Sequence, residues 1–262
     1  MVSRRDARGQ LPLPIRGRGG RRPGAGRPKG RSVDYVPHVR RERVTRHHGL
    51  HVTLRLVDGL PSLRRPTHTD LILRVFAAEC GRKGFRLVQF AIRSNHLHLV
   101  CEADSTRALS RGVQRLASRA ARGLNRRLGR GGRVFRDRFH VVVISKPRQM
   151  RNVLRYVLLN EHKDRALARS ALSRAASAAS ASNRSLWEGF DGIDPWSSAF
   201  YFDGFANVGA VAPEPPPPPG TRVVDERGPP VTAPRSWLLR VGWRRHGLIH
   251  TEEYAPDGAA GA

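Results

Sequence analysis

The chain has 262 residues, with 48 Lys and Arg against 21 Asp and Glu and a formal net charge of +27. Such a charge makes a compact chain repel itself unless a polyanion is near, and the arginine forks that dominate it match phosphate bidentately, so nucleic acid is the expected partner and binding should weaken steeply with salt. No apolar run reaches the ~20 residues of a membrane span, and the two cysteines, Cys80 and Cys101, make neither a disulfide framework nor a four-thiolate zinc site; the expectation is a cytoplasmic, nucleoid-associated protein without a membrane partner.

Residues 1–46 are rich in Arg, Gly and Pro without apolar periodicity and read as a disordered basic arm, because such a stretch buries too little surface to offset its ordering entropy. Within it, Gly26-Arg27-Pro28-Lys29-Gly30-Arg31 resembles the core of an AT-hook, in which an Arg-Pro unit lies along a narrow minor groove. That makes Arg27 a DNA-binding candidate, while the Arg/Gly-rich surroundings leave the motif open against a chance match. Residues 50–56 alternate apolar and polar and predict a half-buried strand. Residues 69–83 have helical spacing, with Thr69 or Asp70 near the N-cap and Gly84 beyond the end. Residues 85–92 and 96–102 read as two further strands joined by Ser94-Asn95. A long helix follows over 105–128, with Leu109, Val113, Leu116, Ala120 and Leu124 on one side and Arg107, Arg111, Arg115, Arg119, Arg122 and Arg126 on the other. The apolar-rich stretch 134–144 is interrupted by Arg136-Asp137-Arg138, and 149–160 is helical. The order β-α-β-β-α-β-α predicts an α+β, ferredoxin-like antiparallel sandwich over 47–165 with an added helix. Residues 166–207 read as a linker and an aromatic segment packing on the domain, and 208–262 as a Pro-rich spacer and tail that regains order around Ser236 to Trp243.

The sharpest local signal is His96-Leu97-His98 in a strand. Period-two geometry sets both imidazoles on one face at neighbouring pleats, which suits a divalent-cation pair and equally suits two polar residues on an exposed face. On the last helix, Met150, Val153, Leu154, Val157 and Leu158 form the buried stripe, and Tyr156 falls on a flank with Gln149, Asn152 and Asn160. Lys163 extends that row if the helix continues, and the Asn160 amide, one turn beyond Tyr156, can reach the same point in space. A tyrosine there can present its hydroxyl or merely bond its neighbours. Taken together, two histidines, a tyrosine, an amide and a field of arginines permit phosphodiester transfer. A cation would polarise the phosphate, and a phenol, which titrates near ~10, would attack phosphorus with the phenolate favoured by nearby positive charge.

Ser94-Asn95-His96-Leu97-His98, then Val134-Phe135-Arg136-Asp137-Arg138-Phe139, then Arg155-Tyr156-Val157-Leu158-Leu159-Asn160 resemble the Y1 group of HUH single-strand DNA transposases, IS200-like, in the branch of REP-associated tyrosine transposases. Asp194-Pro195-Trp196-Ser197-Ser198-Ala199 with Phe202-Asp203-Gly204 is similar to that branch's downstream segment. The resemblance implies the ferredoxin-like fold, Tyr156 as the nucleophile, His96, His98 and Asn160 as ligands of Mg²⁺ or Mn²⁺, and a single-stranded hairpin or repetitive palindromic DNA substrate cut through a covalent 5′-phosphotyrosine. Arg133, Arg136, Arg138 and Lys163 are candidate DNA contacts. Relatives differ on whether the tyrosine serves its own or a partner subunit's cation, so a homodimer is left open. The chain departs from the family pattern at Glu161, where many relatives have proline, and in its basic arm and C-terminal extension. His47, His48, His51 and His140 are left unassigned; His51 could face the cation, but one imidazole on an apolar strand is more often structural. The rival readings are a non-catalytic domesticated DNA- or RNA-binding protein and a general RNA binder.

Overall fold

The structure, a computed structural model, describes residues 42–159, 194, 196–206, 228–251 and 253. Arg27, Asn160 and Lys163 therefore lie outside the described residues, as do most of the expected arm and the proline spacer. In chain order the main elements are β1 (Gly49–Arg55), α1 (Pro66–Glu79), β2 (Phe85–Ile92), β3 (His96–Ala103), α2 (Thr106–Arg127), β4 (His140–Ile144) and α3 (Pro147–Leu159). The strands make one four-stranded antiparallel sheet in the order β2-β3-β1-β4. This is the ferredoxin-like α+β arrangement expected from the element order, with α3 added.

Alternation along the strands divides the apolar residues between two cores. Leu50, Val52 and Leu54 of β1 and Leu97, Leu99 and Cys101 of β3 meet Ile72 and Phe76 of α1 and Leu109, Val113 and Leu116 of α2. The opposite face sends Val100 and Ile144 against Met150, Val153, Leu154, Val157 and Leu158 of α3. A bulge between Leu87 and Gln89 shifts the phase of β2, so Leu87 and Phe90 both enter the first core while Val88 and Ala91 enter the second. Gly112 lets α2 lie directly on the Phe85 ring, where a Cβ would collide with it. Cys80 and Cys101 are free and buried.

Several boundaries differ from those read off the sequence. α1 begins at Pro66 rather than near Thr69 because proline's fixed φ suits the first helical position. Thr69 is buried, and its hydroxyl donates to the carbonyl of Leu63 at 2.9 Å instead of capping the helix. α2 does start after a cap, the Ser105 hydroxyl accepting from the Ala108 N–H at 3.2 Å. The stretch 134–144 becomes a strand only at His140; Leu56 bridges to Phe135 before it, and the Arg138 N–H donates to Asp137 Oδ1 at 2.7 Å. Val44 is buried in the first core and Thr45 bridges Ser105, so packing begins upstream of residue 47.

Two downstream segments complete the layers. Residues 196–206 run along β2, with the Ile92 N–H donating to the Trp196 carbonyl at 2.8 Å and the Phe90 N–H to Ser198 Oγ at 2.7 Å. Asp194 is buried, ion-paired to Arg64 and Arg93, and accepts from the Trp196 N–H at 3.0 Å. Its motif is thus built into the sheet edge. Residues 228–251 add a short helix, α4 (Trp237–Arg240), and a 3-10 turn (Gly242–His246). The buried Glu102 carboxylate accepts from the Arg235 and Ser236 N–H groups, each at 2.8 Å, which fixes the start of α4, while Leu238, Leu239, Trp243 and Ile249 join the core beneath α3.

Candidate active site

The leucines and Val52 of β1 face the first core, so His51, Thr53 and Arg55 face the other way, toward α3. Register then decides what surrounds them. Thr53 lies opposite His98 on one side and His140 on the other, Arg55 lies opposite His96, and His51 lies opposite Val100 and Val142. Directly paired residues share a face, so the sheet surface toward α3 carries His51, His96, His98 and His140 together.

Three of these rings form a line. Asn95 Oδ1 is 2.7 Å from His96 Nδ1; His96 Nε2 is 3.0 Å from His98 Nε2; His98 Nδ1 is 3.1 Å from His51 Nε2 and 3.4 Å from Thr53 Oγ1. His51 and His98 are buried, and His96 is half-buried. Burial, with His140 and His96 nearby, lowers His51 from 6.5 to about 4. Burial and the neighbours His51, His96 and Arg93 hold His98 well below its usual value. Both rings are therefore neutral at pH 7, the form that can donate a lone pair to a cation.

α3 lies over this line. Its apolar stripe is anchored in the second core, which leaves Tyr156 partly buried at the edge of that core. The Tyr156 ring meets His98 edge-on, with centroids 5.2 Å apart at 80°, and His51 at 5.9 Å and 70°. His98 and Tyr156, 58 positions apart in the chain, are thus brought to one place. Two ligands at ~2.1 Å in adjacent positions around one ion are about 3 Å apart, and the His96–His98 Nε2 separation of 3.0 Å fits that spacing. Among the described residues no group of three or more His, Cys, Asp or Glu side chains could hold a metal ion.

The arginine loop comes close through its backbone. The Arg136 N–H donates to the Arg55 carbonyl at 2.8 Å, and Arg55 is the register partner of His96. Arg133 is exposed and donates to the Arg136 carbonyl at 3.1 Å, whereas Arg136 and Arg138 are half-buried. Sequence reasoning gave no role to His51 or Arg55. The signal was present in residues 50–56, where both share the polar face with Thr53, but the strand neighbours that give that face its meaning are fixed only by register. No helix among the described residues is long and apolar enough to cross a membrane.

Residues 51–160 match the family model described as transposase IS200 like. Among solved structures, the chain is similar to a REP-associated tyrosine transposase bound to a REP hairpin, at 15% identity and a TM-score of 0.39 over 49% of this chain and 74% of that one. It is also similar to a Deinococcus radiodurans R1 protein assigned as a transposase, at 15% identity and a TM-score of 0.29 over 44% of this chain and 85% of that one. No curated protein matches the chain.

Proposed function

We propose that the chain, whose residues 51–160 match the model of the IS200-like transposases, is a metal-dependent endonuclease and strand transferase of single-stranded hairpin DNA, in the manner of the REP-associated branch. Tyr156 is the nucleophile, and His96, His98 and Asn160 hold Mg²⁺ or Mn²⁺. The observation that carries this reading is the edge-on packing of the Tyr156 ring against His98, whose Nε2 lies 3.0 Å from that of His96.

The Tyr156 oxygen attacks the scissile phosphorus. An O–P bond forms, the P–O3′ bond breaks, and the proton lost by the phenol is balanced by the one gained on the departing 3′ oxygen. The products are a 5′-phosphotyrosine and a free 3′-hydroxyl, and attack by another 3′-hydroxyl reverses the step on a new strand. One phosphodiester is exchanged for another throughout, so no nucleotide cofactor is required. The divalent ion, when bound, supplies Lewis-acid polarisation and orientation of the phosphate. His51 and His98 pack edge-on with the tyrosine ring, and His96 and the neutral His98 offer lone pairs. Arg133, Arg136 and Arg138 grip the DNA backbone beside the site, with Arg27 and Lys163 as further contacts.

The test is incubation of the protein with labelled hairpin DNA and Mn²⁺, followed by denaturing electrophoresis. A denaturation-resistant adduct is expected, and Tyr156→Phe should abolish it while hairpin affinity stays near wild type. Tight binding without an adduct in the wild-type protein would favour a non-catalytic binder, and RNA outcompeting hairpin DNA by a wide margin would favour an RNA-binding role.

A further inference from the structure

A neutral imidazole has one N–H and one lone pair, so in a line of three rings each assignment fixes the next. The Asn95 amide oxygen only accepts, which puts a proton on His96 Nδ1, 2.7 Å away, and leaves the lone pair on His96 Nε2. That lone pair faces His98 Nε2 at 3.0 Å. For both Nε2 atoms to offer lone pairs to one cation, the His98 proton must sit on Nδ1, and a buried N–H without an acceptor is strongly unfavourable. Two acceptors are in range: His51 Nε2 at 3.1 Å and Thr53 Oγ1 at 3.4 Å. The imidazole is the nearer and the more basic of the two.

The geometry points to His51 as a positioning residue whose Nε2 accepts the Nδ1–H of His98 and so keeps the His98 Nε2 lone pair turned toward the cation. This rests on the reading of His96 and His98 as cation ligands. It also gives the line two directions. Without a cation, His51 Nε2–H donates to His98 Nδ1, and His98 Nε2–H donates to His96 Nε2. With a cation, the His98 proton moves from Nε2 to Nδ1 and the His51 proton moves from Nε2 to Nδ1. The His51–His98 hydrogen bond reverses and the His98–His96 one gives way to the cation, while the number of protons on the rings does not change, so loading at neutral pH proceeds without net proton release from this line.

Mn²⁺ binding to the full chain without DNA, followed by the electron paramagnetic resonance of free Mn²⁺, tests the assignment. His51→Leu removes the acceptor and should raise the Mn²⁺ Kd by about tenfold or more. His51→Gln, whose carboxamide oxygen can stand where Nε2 stood, should bind close to wild type, and a merely structural role would change the melting temperature of His51→Leu and leave its Mn²⁺ Kd alone. A second measurement needs no variant: ¹⁵N-histidine spectra should show His51 and His98 passing from the Nε2–H to the Nδ1–H form on addition of Mg²⁺. Equal Mn²⁺ affinity in wild type and His51→Leu, or retention of Nε2–H by both rings under Mg²⁺, would overturn the role of His51 while leaving the cation pair intact. Wild-type protein that binds no Mn²⁺ would overturn the cation pair itself, and this role with it.

Discussion

Protonation of the buried imidazoles is the most direct way to disturb the site one residue at a time. In the unfolded chain a histidine takes up its proton near 6.5, whereas in the folded chain His51 does so only at about 4 and His98 is also held well below its usual value. The unfolded state therefore binds more protons in that interval, and stability must fall as pH drops from 6.5 toward 4. The His51 shift alone corresponds to roughly 3 kcal/mol. Denaturant unfolding of the metal-free protein at pH 7 and pH 4.5 should show most of this loss, and His51→Gln should flatten the dependence; equal stability at the two pH values would mean that the rings are hydrated in the folded state. At this scale the sequence was legible in part. His96 and His98 are visible as a pair because period two puts them on one face, and Tyr156 stands out because it is off the apolar stripe. His51 carries the same alternation signal but gains meaning only from lying diagonal to His98 across β1 and β3, and alternation says nothing of which strands are neighbours.

The element that controls the geometry is α3, since it carries Tyr156 and rests partly on chain that the family match does not include. Arg151 on α3 donates to both carboxylate oxygens of Glu253, at 2.7 and 2.8 Å, and to the carbonyls of Gly247 and Leu248, at 2.9 and 2.7 Å. Its side chain is largely buried, and it holds the Glu253 carboxyl below the usual range. Arg151→Ala removes the whole fork and should destabilise the protein by about 1.5–3 kcal/mol. Thermal unfolding checks this, and a change of a few tenths would show that the C-terminal segment does not secure the helix. Helical periodicity made α3 readable in advance, because its buried stripe is local in sequence. The partner of Arg151 was not readable: Glu253 is 102 residues away, and nothing in the sequence around either residue names the other. The early start of α1 was missed for a different reason, since Thr69 and Asp70 looked like caps while Pro66 was already in place at the first helical position.

At the scale of the whole molecule, the net charge of +27 dictates how the protein meets its substrate. Arg107, Arg111, Arg115, Arg119, Arg122 and Arg126 form an exposed row on α2, on the far side of the sheet from α3, whereas Arg133, Arg136 and Arg138 lie in the loop bonded to Arg55 beside His96. Contacts to single-stranded phosphates each contribute about −0.7 to the slope of log affinity against log salt. Replacing Arg133, Arg136 and Arg138 together by alanine should therefore flatten the slope for hairpin DNA by about 2, as read by fluorescence anisotropy between low and moderate salt; an unchanged slope would move the DNA path elsewhere, the α2 row being the next surface to test. The central claim is narrower than binding. It is that the phenol beside the paired imidazoles becomes bonded to phosphorus. Trypsin cleavage after Arg155 and Lys163 isolates Tyr156 as the one tyrosine of its peptide, so mass spectrometry of the nuclease-trimmed Mn²⁺ reaction measures the claim directly. The account predicts a nucleotide attached through phosphate to Tyr156, and cleaved DNA with that peptide unmodified, or with the nucleotide on another residue, would contradict it.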